Sequence, residues 1–548
     1  MNLFSWLLTS FLWYRIIFLK SKIYLHIVQL EGYSTNKFEH WICENKNKIY
    51  KKMDIFFLIT TLFLLFLYYA FYEILIFRPL FSLCINIMFI IINIMLTYKK
   101  TTPKKPFVHT KRANRLDAIT SVLIMIDLII VISFIFIFTN NINIIYPICV
   151  GFMSISSFFC VYYVLLGNLI SVPIENKINK KFYNMASKKI RSLDKIKTVG
   201  ITGSYGKTST KFITAAILSN KFKVMNTPES YNTPMGISKV INNDLNDYYE
   251  VFIAELGATK KGDIEEVARL TNPKIGVLTS IGPCHLQSFG SINNIANGKY
   301  ELIECLPDDG IAIFNYDNIY VKDLADKTVK KKLLYGVENI ESVDVYAKDI
   351  SVNEIGSVFT LCIKNVGCIK CETTLLGKHN ILNILAGVSV ATALGMNLEE
   401  IRIGIKRISS VKHRLELIDP NTGILVIDDA FNSNPDGATA ALEVLSEFKD
   451  RRKIIVTPGM IELGEIEKRE NEKFGEKIAE VCDIVILVGK KRTQPIYDGL
   501  LKKGYDKNNI YVVNSTNDST EIIKSITKQG DIILYENDLP DNYDESVK

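Results

Sequence analysis

A turn containing two glycines, a lysine and several hydroxyl side chains is the segment of this 548-residue chain best suited to chemistry. Gly203 and Gly206 follow an apolar strand pattern, and a helical pattern begins after Lys207. Backbone N–H groups in such a turn, at the start of a helix, attract phosphate oxygens. The lysine would neutralise the outer phosphates of a nucleoside triphosphate, and the Thr208 hydroxyl would bind Mg²⁺. Because Ile201 stands where the strict P-loop pattern has glycine, a simple strand-to-helix turn is the alternative.

Three further candidates follow along the chain. Glu255 ends an apolar strand, at the edge where α/β sheets bind ligands, so it could bind a metal ion or be a solvated acid. His285 comes after the next strand and, taken alone, fits a structural histidine better than a ligand. Lys299 and Glu301, taken alone, fit an exposed pair on a helix.

Short apolar strands that alternate with helices predict two α/β domains to position these residues. Residues 344–376 alternate over shorter runs and predict an antiparallel insertion in the first of these domains. We expect a membrane domain over 1–190, a P-loop-type central ATPase domain over 195–408 and a Rossmann-like domain over 410–548. The predicted strands are 198–202, 251–255, 275–280 and 311–315 in the central domain, and 424–427, 453–456, 483–488, 510–513 and 531–534 in the last.

Long apolar runs at 55–77, 80–98, 118–138 and 144–169 predict transmembrane helices, and hence a multi-pass protein of the plasma membrane. A shorter run, Leu3 to Leu19, could be a fifth span or an interfacial helix. The basic loops lie on one side of these runs, so the positive-inside rule places 20–53, 99–116 and everything after 171 in the cytoplasm. The net charge of +7 is then mostly a topology signal. The sequence predicts no nucleic-acid partner.

Cysteines are scattered, ten in all. Cys368 and Cys371 form a single CxxC motif, with no second pair to complete a zinc site. We expect reduced cytosolic thiols.

Nine motifs between 195 and 548 resemble, in order and spacing, those of the Mur ligase family. They are Thr202-Gly-Ser-Tyr-Gly-Lys-Thr-Ser209, Glu255-Leu-Gly-Ala258, His285-Leu-Gln-Ser-Phe-Gly-Ser291, Gly298-Lys-Tyr-Glu301, Asn315-Tyr-Asp-Asn318, Gly377-Lys-His-Asn380, Arg414-Leu-Glu416, Asp428-Asp-Ala-Phe-Asn-Ser-Asn-Pro435 and Met460-Ile-Glu-Leu-Gly464.

The resemblance implies an ATP-dependent ligase that joins a carboxylate to an amine through an acyl phosphate. In the branch with the last two motifs, the amine is D-alanyl-D-alanine and the carboxylate belongs to a muramoyl-peptide precursor of the cell wall. The resemblance also implies two Mg²⁺ ions and a carbamate on Lys299. The implied catalytic residues are Lys207, Lys299, Glu255, His285 and Arg414; the nucleotide contacts are Gly203, Ser204, Gly206, Lys207, Thr208, Ser209, Asn315, His379, Asn380 and Asn432; and the metal ligands are Thr208, Glu255 and His285.

Two departures leave the substrates open. The peptidoglycan enzymes of this family carry a soluble domain for the UDP-sugar, where this chain has apolar runs. The acceptor could therefore be lipid-linked, or the helices could anchor a ligase for a soluble substrate beside membrane-protein partners. Thr457-Pro-Gly-Met460 replaces the usual Gly-Asp-Met approach and leaves the amine open. A poly-γ-glutamate-type or other amide ligase and a catalytically dead membrane scaffold are the alternatives.

Overall fold

Two units of structure make up the chain, the first ending at Lys180 and the second beginning at Lys181. The computed structural model describes residues 3–71, 74, 77–98, 106–138, 141–229, 231–284, 286–353, 356–410, 412–430, 434–461 and 463–539.

Helices form the first unit in the part of it that the structure describes. They are α1 (Leu3–Leu30), α2 (Thr35–Glu44), α3 (Lys46–Ile49), α4 (Lys52–Ala70), α5 (Phe77–Tyr98), α6 (Lys111–Phe138), α7 (Ile142–Phe158) and α8 (Cys160–Ser192), of which α8 continues past Lys180.

Helix α1 is packed inside this unit. Trp13 and Ile17 on α1 are buried. The hydroxyl of Thr9 lies 2.9 Å from Oδ1 of Asn86 on α5 and 2.8 Å from the hydroxyl of Tyr146 on α7. Hydrogen bonds of this kind between helices hold bundles together where the surroundings are as apolar as the side chains.

Three helical segments of this unit are long and apolar enough to cross a membrane: Lys52–Ala70, Arg78–Thr97 and Lys111–Ser133. The predicted run 144–169 is broken, because Asn143–Phe158 and Cys160–Ser192 meet at 69° and could cross only as one bent pair. Within the described residues, α1 is not in this set. The four or five predicted spans thus correspond to three straight segments, or four with the bent pair.

The second unit begins with alternating strands and helices. In chain order they are β1 (Lys197–Thr202), α9 (Lys207–Leu218), β2 (Val224–Asn226), α10 (Pro234–Asn243), β3 (Val251–Glu255), α11 (Asp263–Thr271), β4 (Ile275–Leu278), α12 (Leu286–Phe289), α13 (Ile292–Glu304), β5 (Ile311–Asn315), α14 (Ile319–Asp326), β6 (Lys332–Gly336), β7 (Val345–Asn353), β8 (Gly356–Ile363), β9 (Gly367–Thr373), α15 (Lys378–Ala393) and α16 (Leu398–Lys406).

A nine-stranded sheet organises this part, in the order β2-β3-β1-β4-β5-β6-β7-β8-β9. The strands from β2 to β7 run parallel, while β7, β8 and β9 form the predicted antiparallel insertion and continue the same sheet. Buried apolar side chains pack on both faces. Since the chain order reverses around β1, the crevice at its carboxyl end is where such a sheet binds ligands.

The rest of the second unit again alternates strands and helices. They are β10 (Glu416–Ile418), β11 (Leu425–Asp429), α17 (Pro435–Ser446), β12 (Arg452–Thr457), α18 (Glu467–Val481), β13 (Ile484–Val488), α19 (Gln494–Lys502), β14 (Ile510–Val513), α20 (Thr516–Ile526) and β15 (Asp531–Glu536). The strands form a second sheet, in the order β10-β11-β15-β12-β13-β14, which is parallel except for β10. Apolar cores on both of its faces fit the expected Rossmann-like arrangement.

One cysteine pair differs from the expectation of reduced thiols. Cys362 on β8 and Cys368 on β9 lie directly opposite each other and form a disulfide. The register of the antiparallel pair β8 and β9 brings these two residues together. A search for CxxC motifs does not detect such a pair, because five residues separate the two cysteines. Cys371 is not in the disulfide and is buried.

Candidate active site

The turn between β1 and α9 forms the floor of the site. Gly206 adopts φ +77° at the start of α9. A Cβ atom there would lie 2.6 Å from Oδ1 of Asn383 on α15, so both the backbone and the available space require glycine. The backbone N–H of Ser204 donates to the carbonyl of Ser280 at 2.6 Å, which fixes the turn against the segment after β4.

Lys207 folds back over this turn. Its Nζ donates to the carbonyl oxygens of Gly203 at 2.7 Å and Ser204 at 3.0 Å. Burial lowers the pKa of Lys207, whereas hydrogen bonds to carbonyl groups favour the charged form. The ammonium is therefore held at the start of a helix, where it can meet phosphate oxygens.

Glu255 ends β3 with its carboxylate buried among polar partners. Its Oε2 lies 3.2 Å from Nζ of Lys211, and its Oε1 accepts a hydrogen bond from Nδ2 of Asn232 at 3.0 Å. Lys211 has no exposed surface and also donates to the carbonyl of Glu229. Sequence reasoning missed Lys211; its position one helical turn after Lys207 was the available signal.

Lys299, on α13, is only 3% exposed. Its Nζ lies 5.9 Å from the ring centroid of Phe289 and, among the described residues, has no acidic partner within ion-pair distance. Burial first, and then the positive charge of Lys207, lower the pKa of Lys299 to about 7. The expectation of an exposed pair with Glu301 is wrong, since Glu301 is also buried and accepts from the backbone N–H groups of Gly262 and Glu265.

The start of α15 forms a second wall of the site. Asn380 donates from Nδ2 to the carbonyl of Leu376 at 2.9 Å. Asn383, another residue that the sequence reasoning missed, accepts from the hydroxyl of Thr210 at 3.0 Å and so ties α15 to α9. Burial lowers the pKa of His379 to about 4, which keeps its imidazole neutral near pH 7.

Arg414 begins the third wall, in the connection to the second sheet. Its neighbours His413 and Leu415 both have positive φ, at 60° and 48°. The backbone N–H of Leu415 donates to Oδ1 of Asp429 at 3.2 Å. Burial lowers the pKa of Arg414, and the negative charges of Asp429 and Glu255 partly offset this by raising it. Burial also raises the pKa of Asp429, to about 6.

These walls enclose a cavity of about 590 Å³. Of the sequence-predicted residues, those that line it are Ser204, Gly206, Lys207, Thr208, Ser209, Glu255, Asn315, His379, Asn380 and Arg414. Gly203 and Lys299 are not among the lining residues, and His285 and Asn432 fall outside the described residues. Tyr205 and Asp317, which stand in quoted motifs but were given no role, also line the cavity. Lining residues outside the motifs include Asn232, Thr279, Asn383 and Asp436.

Oxygen donors in this cavity suit a hard divalent cation. Thr208 and Glu255 offer a hydroxyl and a carboxylate, the ligand types that Mg²⁺ prefers. The described part of the chain contains no group of three His, Cys, Asp or Glu side chains placed to hold a metal. In nucleotide sites, phosphate and water oxygens commonly fill further positions around a Mg²⁺ ion.

Family models match both parts of the second unit. Residues 201–391 match the Mur ligase middle domain, and residues 413–535 match the model described as Mur ligase, glutamate ligase domain.

Individual relatives agree with these matches. The chain is 30% identical to UDP-N-acetylmuramoyl-tripeptide–D-alanyl-D-alanine ligase of Bacillus subtilis, over 64% of this chain and 75% of the relative. It is 33% identical to the enzyme of the same name from Escherichia coli, over 54% of this chain and 65% of that relative. The structure is similar to that of MurF ligase from Thermotoga maritima in complex with ADP, with a TM-score of 0.59 and 26% identity, over 66% of this chain and 80% of that one.

Proposed function

Because this chain belongs to the Mur ligase family of ATP-dependent carboxylate–amine ligases, we propose that it joins D-alanyl-D-alanine to the carboxylate of a muramoyl tripeptide. The observation that carries this proposal is the single cavity that contains Lys207, Thr208, Glu255 and Arg414. Its residues come from both matched domains, as an enzyme that holds ATP and an acceptor together requires.

The proposed reaction has two steps. A carboxylate oxygen of the acceptor attacks the γ-phosphorus of ATP, the bond to ADP breaks and an acyl phosphate forms. The amine nitrogen of D-alanyl-D-alanine then attacks the acyl carbon, phosphate leaves and the nitrogen loses a proton. Lys207 neutralises the charge that develops on the transferring phosphoryl group, and Arg414 supplies a second cation from the connection to the second sheet.

We propose that Thr208 and Glu255 hold Mg²⁺, with His285 as a further ligand. The metal ion would offset the phosphate charge when bound. Lys211 and Asn232 hold the carboxylate of Glu255 in a fixed orientation, which is how a second layer of hydrogen bonds prepares a metal ligand. The nucleotide would be bound by the turn from Gly203 to Ser209 and by Asn315, His379, Asn380 and Asn432.

Lys299 is proposed to carry a carbamate. Its nitrogen would attack the carbon of CO₂, an N–C bond would form, and one proton would pass to water. A pKa of about 7 leaves a large fraction of the amine uncharged and nucleophilic at neutral pH. The carbamate would carry a negative charge. It would be attracted by the positive charge of Lys207, which already acts on Lys299 and lowers its pKa.

We further propose that the apolar helices of the first unit place the protein in the plasma membrane, with both ligase domains, divided near residue 409, in the cytoplasm. Apolar side chains such as Phe63, Phe66 and Ile129 are more than half exposed, which suits contact with lipid. This unit favours a second candidate, a ligase whose carboxylate substrate is lipid-linked.

The test supplies the purified full-length protein, in detergent, with Mg-ATP, D-alanyl-D-alanine and UDP-N-acetylmuramoyl tripeptide. We expect ADP release that depends on both substrates and a product heavier than the tripeptide by one dipeptide, measured by mass spectrometry. ADP release only with a lipid-linked tripeptide would select the second candidate. Release only with glutamate as the amine would select a poly-γ-glutamate-type ligase, and no release with any acceptor would indicate a scaffold.

A further inference from the structure

Arg112, near the start of α6, has an unusual set of neighbours for a partly buried arginine. Its guanidinium carbon lies 4.2 Å from the ring centroid of Tyr33. Its Nε is buried without a hydrogen-bond partner. Among the residues that the structure describes, no carboxylate forms an ion pair with it. A buried donor without a partner is costly, and more so when it is charged.

Glu175, whose negative charge acts on Arg112, is already paired with another arginine. Glu175 on α8 is 3% exposed, and its two oxygens accept from Nε and Nη2 of Arg115 at 2.7 and 2.8 Å. This two-bond geometry satisfies the carboxylate. Both oxygens of Glu175 therefore serve Arg115, and the positive charge of Arg112 has no carboxylate bound to it among the described residues.

The ring of Tyr33 is itself held in place. Its hydroxyl accepts from Nε2 of Gln29 at 3.2 Å and lies 3.3 Å from the hydroxyl of Thr110. The side chain of Thr110 already caps α6 by accepting from the N–H of Ala113 at 3.0 Å. The Thr110 hydroxyl thus satisfies one of the N–H groups at the start of α6. A guanidinium stacked on a fixed ring presents its N–H edge in a defined direction, which suits a phosphate.

We propose that Arg112, oriented by Tyr33, forms a binding site for a phosphate group at the end of α6. The ligand is a phosphate that accepts from two N–H groups of the guanidinium. It could come from the headgroup of an anionic lipid, because Arg112 lies one helical turn from the apolar part of the segment Lys111–Ser133, or from a soluble pyrophosphate compound.

The test measures binding by the full-length protein in a neutral detergent. One arm titrates phosphatidylglycerol in mixed micelles, with phosphatidylcholine as reference, and the other titrates inorganic pyrophosphate. Arg112→Gln should weaken binding about 10-fold in the arm that supplies the ligand, as expected for lost hydrogen bonds to a charged group. The matched control is Lys111→Gln, which removes the same charge from the neighbouring exposed position and should change binding less than about 2-fold.

Further variants keep the test decisive. Tyr33→Leu keeps the charge but removes the stacking ring, and should weaken binding about 3-fold. If Arg112→Gln does not fold, judged by its melting curve, Arg112→Lys replaces it. Lysine keeps the positive charge but cannot donate two parallel N–H groups to one phosphate. Equal effects of the two charge deletions, or no effect of Arg112 in either arm, would overturn the proposal. Ligase activity is not a readout, so failure of the proposed function would leave this result interpretable.

Discussion

Two lysines, Lys207 in the lining of the cavity and the buried Lys299, differ in what surrounds the side-chain nitrogen. Lys207 donates to two carbonyl groups of the turn, which favour its ammonium form. Lys299 has an aromatic ring 5.9 Å away, and its pKa falls to about 7. The motif pattern was sufficient to single out both residues. It could not show that Lys299 is buried, because a lysine on a helix is usually solvated.

The carbamate hypothesis is tested at Lys299. Lys299→Ala should lower the rate of ADP release about 100-fold or more, because a charged group near the transferring phosphoryl is removed. Short carboxylic acids such as acetate should partly restore the rate by supplying the missing carboxylate. Full activity of Lys299→Ala would contradict the hypothesis.

Carbamate formation should also depend on pH in a defined direction. Below its pKa of about 7 the amine of Lys299 is protonated and cannot attack CO₂, so uptake should fall as the pH falls through 7. The uncharged fraction of the amine should decrease about tenfold per pH unit well below 7, and the carbamate signal should fall at least as steeply. The measurement is the ¹³C carbamate signal of the protein in ¹³C-labelled bicarbonate, compared with Lys299→Ala. A signal unchanged between pH 8 and pH 6 would be inconsistent with this assignment.

Lys211 gives a stability prediction. Lys211→Met leaves the Glu255 carboxylate, 1% exposed, without its buried cation. We expect a loss of about 3 to 5 kcal/mol in the free energy of unfolding. The matched control is Lys260→Met, at an exposed position, which should change it by less than about 0.5 kcal/mol. Urea unfolding of the detergent-solubilised protein measures both, and similar values for the two variants would refute the pairing.

At the scale of elements, the strand–turn–helix unit around Gly206 was predictable from the sequence. The packing of α15 against this turn was not. The apolar period and the glycine spacing indicate β1, the turn and α9 from local residues alone. The contact between Gly206 and Asn383 joins elements that are distant in the chain, and no local pattern reveals it. Strands β2, β6 and β10 were also missed, since short or partly exposed strands have weak alternation.

Gly206→Ala tests this support. The new methyl group would both strain a backbone at φ +77° and press on Asn383, so ADP binding should be lost and the melting temperature should fall. Gly262 provides the matched control, because its φ is +91° and a Cβ atom there meets nothing within 4 Å. Gly262→Ala should cost only the backbone strain, about 1 to 2 kcal/mol, and should keep ADP affinity. Equal losses of affinity in both variants would show that the contact is unimportant.

At the scale of the molecule, a ligase of two α/β domains is combined with a helical unit rich in exposed apolar side chains. The second unit follows from motifs and periodicity that the sequence displays directly. The first was predictable in its helices but not in its packing, since the burial of α1 depends on contacts between distant segments and no proline or glycine marks the break at Phe159.

Fractionation tests the proposed membrane location. The full chain should stay in the membrane pellet after an alkaline carbonate wash and should enter solution only with detergent, because its exposed apolar helices require lipid or detergent contact. A peripheral membrane protein treated in parallel provides the control. Recovery of the chain in the carbonate supernatant would contradict the prediction.

The hydrogen bond between Thr210 and Asn383 has a consequence for the order of events during synthesis. The two residues are 173 positions apart. At ordinary translation rates a ribosome needs roughly 9 to 35 s to add that length of chain. The turn at Gly206 thus emerges well before Asn383, which packs against it, and Arg414 emerges later still. A nascent chain cannot assemble the complete cavity until most of its length has been made, so a ligand of that cavity cannot stabilise the early folding steps.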